Sequence, residues 1–333
     1  MTKAIRIHVN GGPDVMRFEE IELPPPGPGE IRIRHTAIGV NFSDINVRRG
    51  GFYLTAPPRF PMILGNEAAG VVAAVGAGVA DVEVGERVAY AGVGGPFYES
   101  TGAYAEERNV PAACLIKLPR EVSDRQAAAL LVKGLTASTI VNHIFRPRPG
   151  QTILIHAAAS GVALVLCQWC KHLGATVIGT VGSPEKARVA AAHGCDHAIL
   201  YRDSDFVANV KALVPTGVDA VFDGVGKDTF LPSLDCVRPF GMLVNYGNAS
   251  GHVPPLNLLL LVKKGALSVA RPGFHHLFRG GRTPQSVADE LFKLVAQRVI
   301  REEIRCTYGL REAAMAHRDI ERRRTIGSVL LLP

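Results

Sequence analysis

The stretch Gln151-Thr152-Ile153-Leu154-Ile155-His156-Ala157-Ala158-Ala159-Ser160-Gly161-Val162-Ala163, continued by Leu164 to Leu173 and by Ala175-Thr176-Val177-Ile178-Gly179-Thr180, decides the fold. An apolar run of strand length enters a turn of small residues. A helical segment follows, and a second apolar run closes the unit. Strand, tight turn, helix, strand is the βαβ arrangement that binds a dinucleotide, its pyrophosphate resting on the helix N-terminus. The glycine fingerprint of such turns is degraded, because Ala158, Ser160 and Ala163 fill its three places. Alanine is tolerated at the third place, whereas a side chain at Ser160 points toward the pyrophosphate. The acidic residue that reads an NAD ribose at the end of the second strand is missing. Val181-Gly182-Ser183-Pro184-Glu185-Lys186 stands there instead. A hydroxyl and an amine suit a 2′-phosphate, so the expected cofactor is NADPH rather than NADH. The bland alternative is a βα unit that carries no nucleotide.

Outward from this unit, strand and helix patterns alternate up to about residue 270. Strands are expected at Ala175–Thr180, His197–Leu200, Asp219–Asp223, Gly241–Tyr246 and Leu267–Ala270. Helices are expected at Pro184–His193, Phe206–Leu213 and Thr229–Val237. Such alternation implies a doubly wound parallel sheet. The first ~125 residues have another texture. Short apolar runs (Ala4–Asn10, Ile31–Ala37, Ala69–Val75, Arg87–Ala91) are separated by turn clusters such as Pro24-Pro25-Pro26-Gly27-Pro28-Gly29, the pattern of a compact, partly open β-barrel. Ser123 and Gln126 form a capping box that opens a helix at Asp124. Helices at Pro284–Gln297 and Leu310–Arg322 and a strand at Ser328–Leu332 return to the first domain, which is then discontinuous: residues 1–124 and 272–333, with 125–271 as the nucleotide domain.

The chain of 333 residues is 47% apolar, enough for two domains with ample cores. No apolar run approaches the ~20 residues of a membrane span. The longest, Leu256 to Val262, reads as a buried strand or helix. With no signal segment at the N-terminus, a cytoplasmic location and no membrane partner are expected. The six cysteines are scattered, which argues against a disulfide framework. Cys167-Gln168-Trp169-Cys170 sits inside the helix after the turn and reads as core packing. The net charge of +7 includes Arg318 and Arg322-Arg323-Arg324 but comes with no RNA motif, so a basic surface with a phosphate-binding cleft is preferred to RNA binding.

Ordered motifs along the whole chain resemble a known family. They are Gly39-Val40-Asn41-Phe42-Ser43-Asp44, Leu64-Gly65-Asn66-Glu67-Ala68-Ala69-Gly70, Val84-Gly85-Glu86-Arg87-Val88-Ala89-Tyr90, Val132-Lys133-Gly134-Leu135-Thr136, His156 to Ala163, Gly179-Thr180-Val181-Gly182-Ser183, Asp223-Gly224-Val225-Gly226, Tyr246-Gly247-Asn248-Ala249-Ser250-Gly251 and Arg271-Pro272. Together they resemble the zinc-free, zeta-crystallin-like quinone oxidoreductases of the medium-chain dehydrogenase/reductase superfamily. The resemblance implies a GroES-like, partly open β-barrel catalytic domain joined to a Rossmann domain. Zinc-dependent relatives carry a Cys and a Gly-His-Glu triplet where this chain has Asn41 with Asp44 and Gly65-Asn66-Glu67. An amide is a poor zinc ligand, and only Cys114 follows Tyr90 where a four-cysteine lobe would lie, so no metal is expected.

By the same resemblance Asn41, Phe42 and Asp44 line the nicotinamide and substrate pocket, with Asn46 nearby. Lys133 and Thr136 face it from a helix, and Thr139 lies near the nicotinamide ribose. Ser160, Gly161 and Val162 meet the pyrophosphate. Gly182, Ser183, Lys186 and Tyr201 hold the 2′-phosphate and adenine, and Val225, Asn248 and Phe274 follow the cofactor along the strand ends. Each has an ordinary reading as well: Lys133 as a helix cap, Tyr201 as a strand end, Asn248 as a turn residue, Lys186 as a solvated lysine. Family members often carry Tyr where Asn46 stands, and Tyr53 is the candidate substitute. The loop Gly92 to Gly102 looks longer than usual. The expected reaction is hydride transfer from NADPH to a quinone, with Asn41, Lys133, a backbone N–H or a water as the donor to the carbonyl. An alkenal or 2-enone is the alternative substrate, and an RNA-binding or structural role the alternative class. Dimerisation is expected through the sheet edge near Leu256–Ala270.

Overall fold

The computed structural model describes residues 1–50, 57–93, 101–278 and 281–333. The described chain forms two compact units: Met1–Val132, Leu277–Ala296 and Glu302–Pro333 in one, Lys133–His276 and Gln297–Arg301 in the other.

The second unit is built on a six-stranded sheet in the order His197–Leu200, Thr176–Val181, Thr152–Ile155, Val218–Asp223, Val237–Asn245, Ser268–Ala270. Every pairing in it is parallel. Numbered by sequence this is the 3-2-1-4-5-6 order of a Rossmann sheet, whose switch point lies between Thr152–Ile155 and Val218–Asp223. Leu154, Ile178, Val221, Leu243 and Phe230 are buried in its core. Each such side chain contributes about 1.5–3 kcal/mol by leaving water.

Two elements here differ from the sequence reading. The helix expected at Thr229–Val237 is only Phe230–Ser233, and a strand begins at Val237. Ser233 Oγ turns back to donate to the Thr229 carbonyl at 2.6 Å, and Val237 pairs with Val218, so sheet pairing overrides local helix preference. The apolar run Leu256–Val262 is not a buried element. It forms the helix Leu258–Lys263, with Leu258 71%, Leu259 65% and Val262 67% exposed. Leu256, Leu260 and Leu261 pack on the core, and the other leucines face outward beside the edge strand Ser268–Ala270.

The first unit holds a seven-stranded sheet in the order Cys306–Gly309, Val329–Leu332, Glu30–Val40, Glu67–Val75, Arg87–Ala91, Ile116–Lys117, with Glu107–Pro111 also paired to Glu30–Val40. A three-stranded sheet joins Met16–Ile21, Thr2–Ile7 and Met62–Ile63. The long strand Glu30–Val40 pairs with Val329–Leu332, Glu67–Val75 and Glu107–Pro111, bending at two register shifts as a barrel strand does. Ile31, Ile33, Val88, Tyr90 and Leu331 fill the interior.

Asp124–Ile144 runs as one helical stretch of 21 residues, long and apolar enough to cross a membrane by length and composition alone. Its most apolar window is 78% buried inside the chain, as expected of a core helix. All six cysteines are free, and Cys167, Cys170, Cys195 and Cys236 are buried.

Candidate active site and nucleotide-binding turn

In the first unit, Asn41 precedes the short helix Phe42–Arg48, which carries Phe42, Asp44 and the buried Asn46. The Asp44 carboxylate is fully buried and accepts three hydrogen bonds: from the Asn41 backbone N–H (2.9 Å), the Tyr104 hydroxyl (3.0 Å) and Asn66 Nδ2 (3.2 Å). Burial outweighs these donors, and the nearby Glu67 adds to it, so the Asp44 carboxyl is pushed up to about 7.

Glu67, also fully buried, accepts from Asn41 Nδ2 at 2.8 Å and from the Val132 backbone N–H at 2.7 Å. Its close approach requires a glycine across the sheet. A Cβ on Gly39 would lie 2.2 Å from Glu67 Oε1 and 2.3 Å from the Ala128 carbonyl oxygen. Gly65 is needed as well, since it has φ +89° and its Cβ would sit 2.3 Å from the Tyr104 ring. Both asparagines thus turn amide nitrogen toward a carboxylate, and Asn66 Oδ1 is buried with no hydrogen-bond partner.

Behind Asp44 the network continues. Tyr104 Oη lies 2.9 Å from His317 Nε2, and His317 Nδ1 lies 3.0 Å from the Arg48 guanidinium, which also pairs with Glu321. Burial and the nearby Arg48 and Arg49 pull His317 down to about 3, so the imidazole is neutral. Tyr104 lies 60 residues beyond Asp44, and His317 a further 213 beyond Tyr104, so no local pattern announces either. Tyr53 and most of the Gly92–Gly102 loop lie outside the described residues.

In the second unit, the phosphate turn is held from below. Ala157 adopts a left-handed φ of +52°, its N–H reaching Thr180 Oγ1 (3.3 Å), while the Ala158 N–H reaches the Thr180 carbonyl (2.9 Å). His156 is fully buried. Ser233 Oγ gives its proton to Thr229, so it accepts from His156 Nε2 (2.8 Å), which leaves Nδ1 to accept from Thr180 Oγ1 (2.9 Å). The alanine in the first fingerprint place is matched by a glycine on the neighbouring strand: a Cβ on Gly179 would lie 2.5 Å from Ala158 Cβ. Ser160 is exposed and caps the helix Gly161–His172 with extended backbone and no side-chain cap bond, so the helix N-terminus at Gly161 and Val162 is uncovered by its own cap.

At the end of the strand Thr176–Val181, Ser183 caps the helix Pro184–Ala192 and accepts from the Lys186 N–H at 3.3 Å. A Cβ on Gly182 would lie 2.9 Å from Tyr201 Oη and 3.5 Å from Arg202 Nε, so the bare glycine lets two donors approach the strand end closely. Arg202 is the residue missing from the sequence reading. Its signal was present, a cation directly after Tyr201 at the end of the next strand.

Farther along the strand ends, Asp223 Oδ1 accepts from the Val225 N–H (2.8 Å), and the Val225 carbonyl accepts from the Ser250 N–H (2.8 Å). Asn248 Oδ1 accepts from Arg271 (3.2 Å). Lys133 and Thr139 are buried and Thr136 half-buried on the stretch Asp124–Ile144, where Thr139 Oγ1 donates to the Leu135 carbonyl at 2.8 Å. Phe274 is buried at the start of a 3₁₀ turn.

Residues 27–120 match the alcohol dehydrogenase GroES-like domain family, and residues 161–281 match the zinc-binding dehydrogenase family. The chain is 45% identical over its whole length, and that of its relative, to a quinone oxidoreductase of Pseudomonas aeruginosa. It is 42% identical to a 2-haloacrylate reductase of a Burkholderia species, covering 100% of this chain and 99% of that one. The crystal structure of Escherichia coli quinone oxidoreductase complexed with NADPH superposes with a TM-score of 0.92 at 39% identity, covering 99% of this chain and 100% of that one. Barrel, Rossmann sheet, motifs and full-length similarity agree, and the chain belongs to the zeta-crystallin-like quinone oxidoreductase family of the medium-chain dehydrogenases/reductases.

Proposed function

We propose that this protein is an NADPH-dependent quinone oxidoreductase that works without a metal. The observation that carries the cofactor choice is the strand end at Gly182, which the Tyr201 hydroxyl and the Arg202 guanidinium approach closely and where no carboxylate stands. A 2′-phosphate is dianionic and prefers such donors. Ser160, Gly161 and Val162 would hold the pyrophosphate, Ser183, Lys186, Tyr201 and Arg202 the 2′-phosphate and adenine, and Val225, Asn248, Phe274 and Thr139 the rest of the cofactor. When bound, NADPH supplies the hydride.

The residues at positions 41 and 66 do not suit zinc. Their amide nitrogens donate to Glu67 and Asp44, and among the described residues no three His, Cys, Asp or Glu side chains gather as a metal site. The chain's own contribution to reduction is then orientation and hydrogen bonding. Asn41, fixed by two buried carboxylates, is the proposed group for the substrate carbonyl, with Phe42 and Asn46 on the helix that follows it. A quinone accepts electrons readily and needs little acid catalysis.

The likeness to a 2-haloacrylate reductase favours a second reading, in which the substrate is an electron-poor alkene conjugated to a carbonyl. A homodimer formed through the edge strand Ser268–Ala270 and the exposed Leu258, Leu259 and Val262 is part of the proposal. Parallel titrations with NADPH and NADH, followed by turnover with a benzoquinone and a 2-enone, test the reading. NADPH bound at least tenfold more tightly, with quinone turnover, is expected. Equal affinities, or turnover of the enone alone, would overturn the cofactor and substrate assignments respectively.

A further inference from the structure

The string behind Asp44 has only one consistent arrangement of protons. A guanidinium has donors and no acceptor, so His317 Nδ1, 3.0 Å from Arg48 Nη1, must accept. The neutral imidazole therefore carries its proton on Nε2, facing Tyr104 Oη at 2.9 Å. The phenol oxygen accepts there, and its own proton is left for Asp44 Oδ2 at 3.0 Å. Arg48 is itself immobilised, fully buried with its Nε donating to the Gly11 carbonyl (3.1 Å) and its far nitrogen on Glu321.

Asp44 is thus approached from every element packed on it. Glu67 faces it from the strand Glu67–Val75, Tyr104 from the segment before Glu107–Pro111, and His317 (through Tyr104) from the helix Ala313–Glu321, with Arg48 on its own helix.

We propose that Tyr104 and His317 are positioning residues for the active site, which fix a hydrogen-bond donor on Asp44 Oδ2 and so keep a buried carboxylate available to orient Asn41 and Asn66. This inference rests on the reading that the Asn41 assembly serves the substrate. A second feature shows that the cluster also has room for the protonated acid. Asn66 Oδ1 is buried without a partner, and turning that amide over would let it accept from a proton on Asp44 Oδ1. The carboxyl's place near pH 7 agrees with a group balanced between the two forms. Nothing in the string is a proton path, because the guanidinium at its far end holds the imidazole in one tautomer. Its effect is orientation.

The test is a carboxyl ¹³C NMR titration of the cofactor-free protein, with the Asp44 signal assigned by Asp44→Asn, beside the pH profile of kcat/KM for a quinone. Tyr104→Phe keeps the ring against Gly65 and removes the hydroxyl, which is the donor to Asp44 and the acceptor for His317. It is expected to raise the Asp44 midpoint by at least about one pH unit, a tenfold change in proton affinity. His317→Leu is expected to do the same, and His317→Gln, which keeps a donor, to restore most of the difference. Midpoints of Tyr104→Phe and His317→Leu that stay with the parent protein would overturn the inference. A midpoint that moves while the pH profile of turnover does not would uphold the positioning of Asp44 and overturn the catalytic reading of the cluster.

Discussion

Beneath the phosphate turn a buried histidine is tied to hydroxyl groups, whereas in the barrel unit two acids are buried beside each other. His156, Thr180, Ser233 and Thr229 pass hydrogen bonds from one to the next, and Asp223 at the end of that string takes donors from Val225, Gly226 and Thr229. Burial pulls His156 down, so the imidazole itself is neutral. Asp44 and Glu67 have comparable hydrogen bonding but also each other's charge, and Asp44 is driven toward neutrality. The same degree of burial therefore leaves a neutral imidazole beneath the turn and a carboxyl that titrates near 7 in the barrel cluster.

The largest expected effect that bears on this contrast is steric. Gly39→Ala would set a methyl against both Glu67 and the Ala128 carbonyl, and a loss of about 3 kcal/mol or more is expected in denaturant unfolding. A loss below ~1 kcal/mol would mean that Glu67 moves aside and the acid cluster is not rigid.

Next comes the charge on Asp44, whose ordinary value of 3.8 rises to about 7 in the fold. The folded protein keeps a proton that the unfolded chain has lost. That contribution is complete below pH ~4 and is lost as pH rises through 7. Asp44→Asn removes this loss, so its stability relative to the parent should climb between pH 4 and 7.5, by on the order of 2–4 kcal/mol. Melting curves with a constant offset across that range would show that Asp44 stays ionised.

The imidazoles act in the opposite direction. His35, held between the Ala105 carbonyl and Tyr90, falls to about 4 through burial, and His317 to about 3, from 6.5. Their contribution is present above pH 6.5 and is lost as pH falls toward 4 and 3. His35→Gln keeps a donor and an acceptor and should flatten the acid limb by roughly 2–3 kcal/mol, read as the change in unfolding midpoint between pH 7 and 4.

The smallest predicted effect sharpens the nucleotide side. Tyr201→Phe, Lys186→Ala and Arg202→Ala should each weaken NADPH binding about tenfold, about 1.4 kcal/mol, while NADH binding stays within about twofold. Equal weakening of both would assign these residues to the adenine or to the fold.

The two regions also differ in how far they can be read from sequence. Strand, turn, helix and strand lie consecutively within Thr152–Val181, and their periodicity declares them. The compensation of Ala158 by Gly179 spans the same unit, yet it emerges only when two strands are placed side by side. The barrel cluster draws Asn41, Asn66, Tyr104 and His317 from distant parts of the chain, and no spacing rule links a tyrosine in a loop to a histidine on the last helix. Motif likeness pointed to Asn41 and Asp44 but not to the string behind them. Arg202 follows the neighbouring parallel strand, so its nearness to Gly182 emerges only when the two strands are placed side by side. The exposure of Leu258 and Leu259 is not legible in sequence, because an apolar run says that a face needs cover, and not whether its own chain provides it.

The placement of the cysteines has a chemical consequence. Quinones and haloalkenes are electrophiles that arylate or alkylate accessible thiolates. Burial lifts the Cys114 and Cys170 thiols and takes Cys236 up to about 12. Cys195 is drawn down by a hydrogen bond with Cys167 but is only 4% exposed beneath the nucleotide sheet's surface. The sulfur whose proton is held least tightly is thus one that is shut away, and of the half-buried pair, Cys114 and Cys306, burial makes the Cys114 thiol a poorer nucleophile.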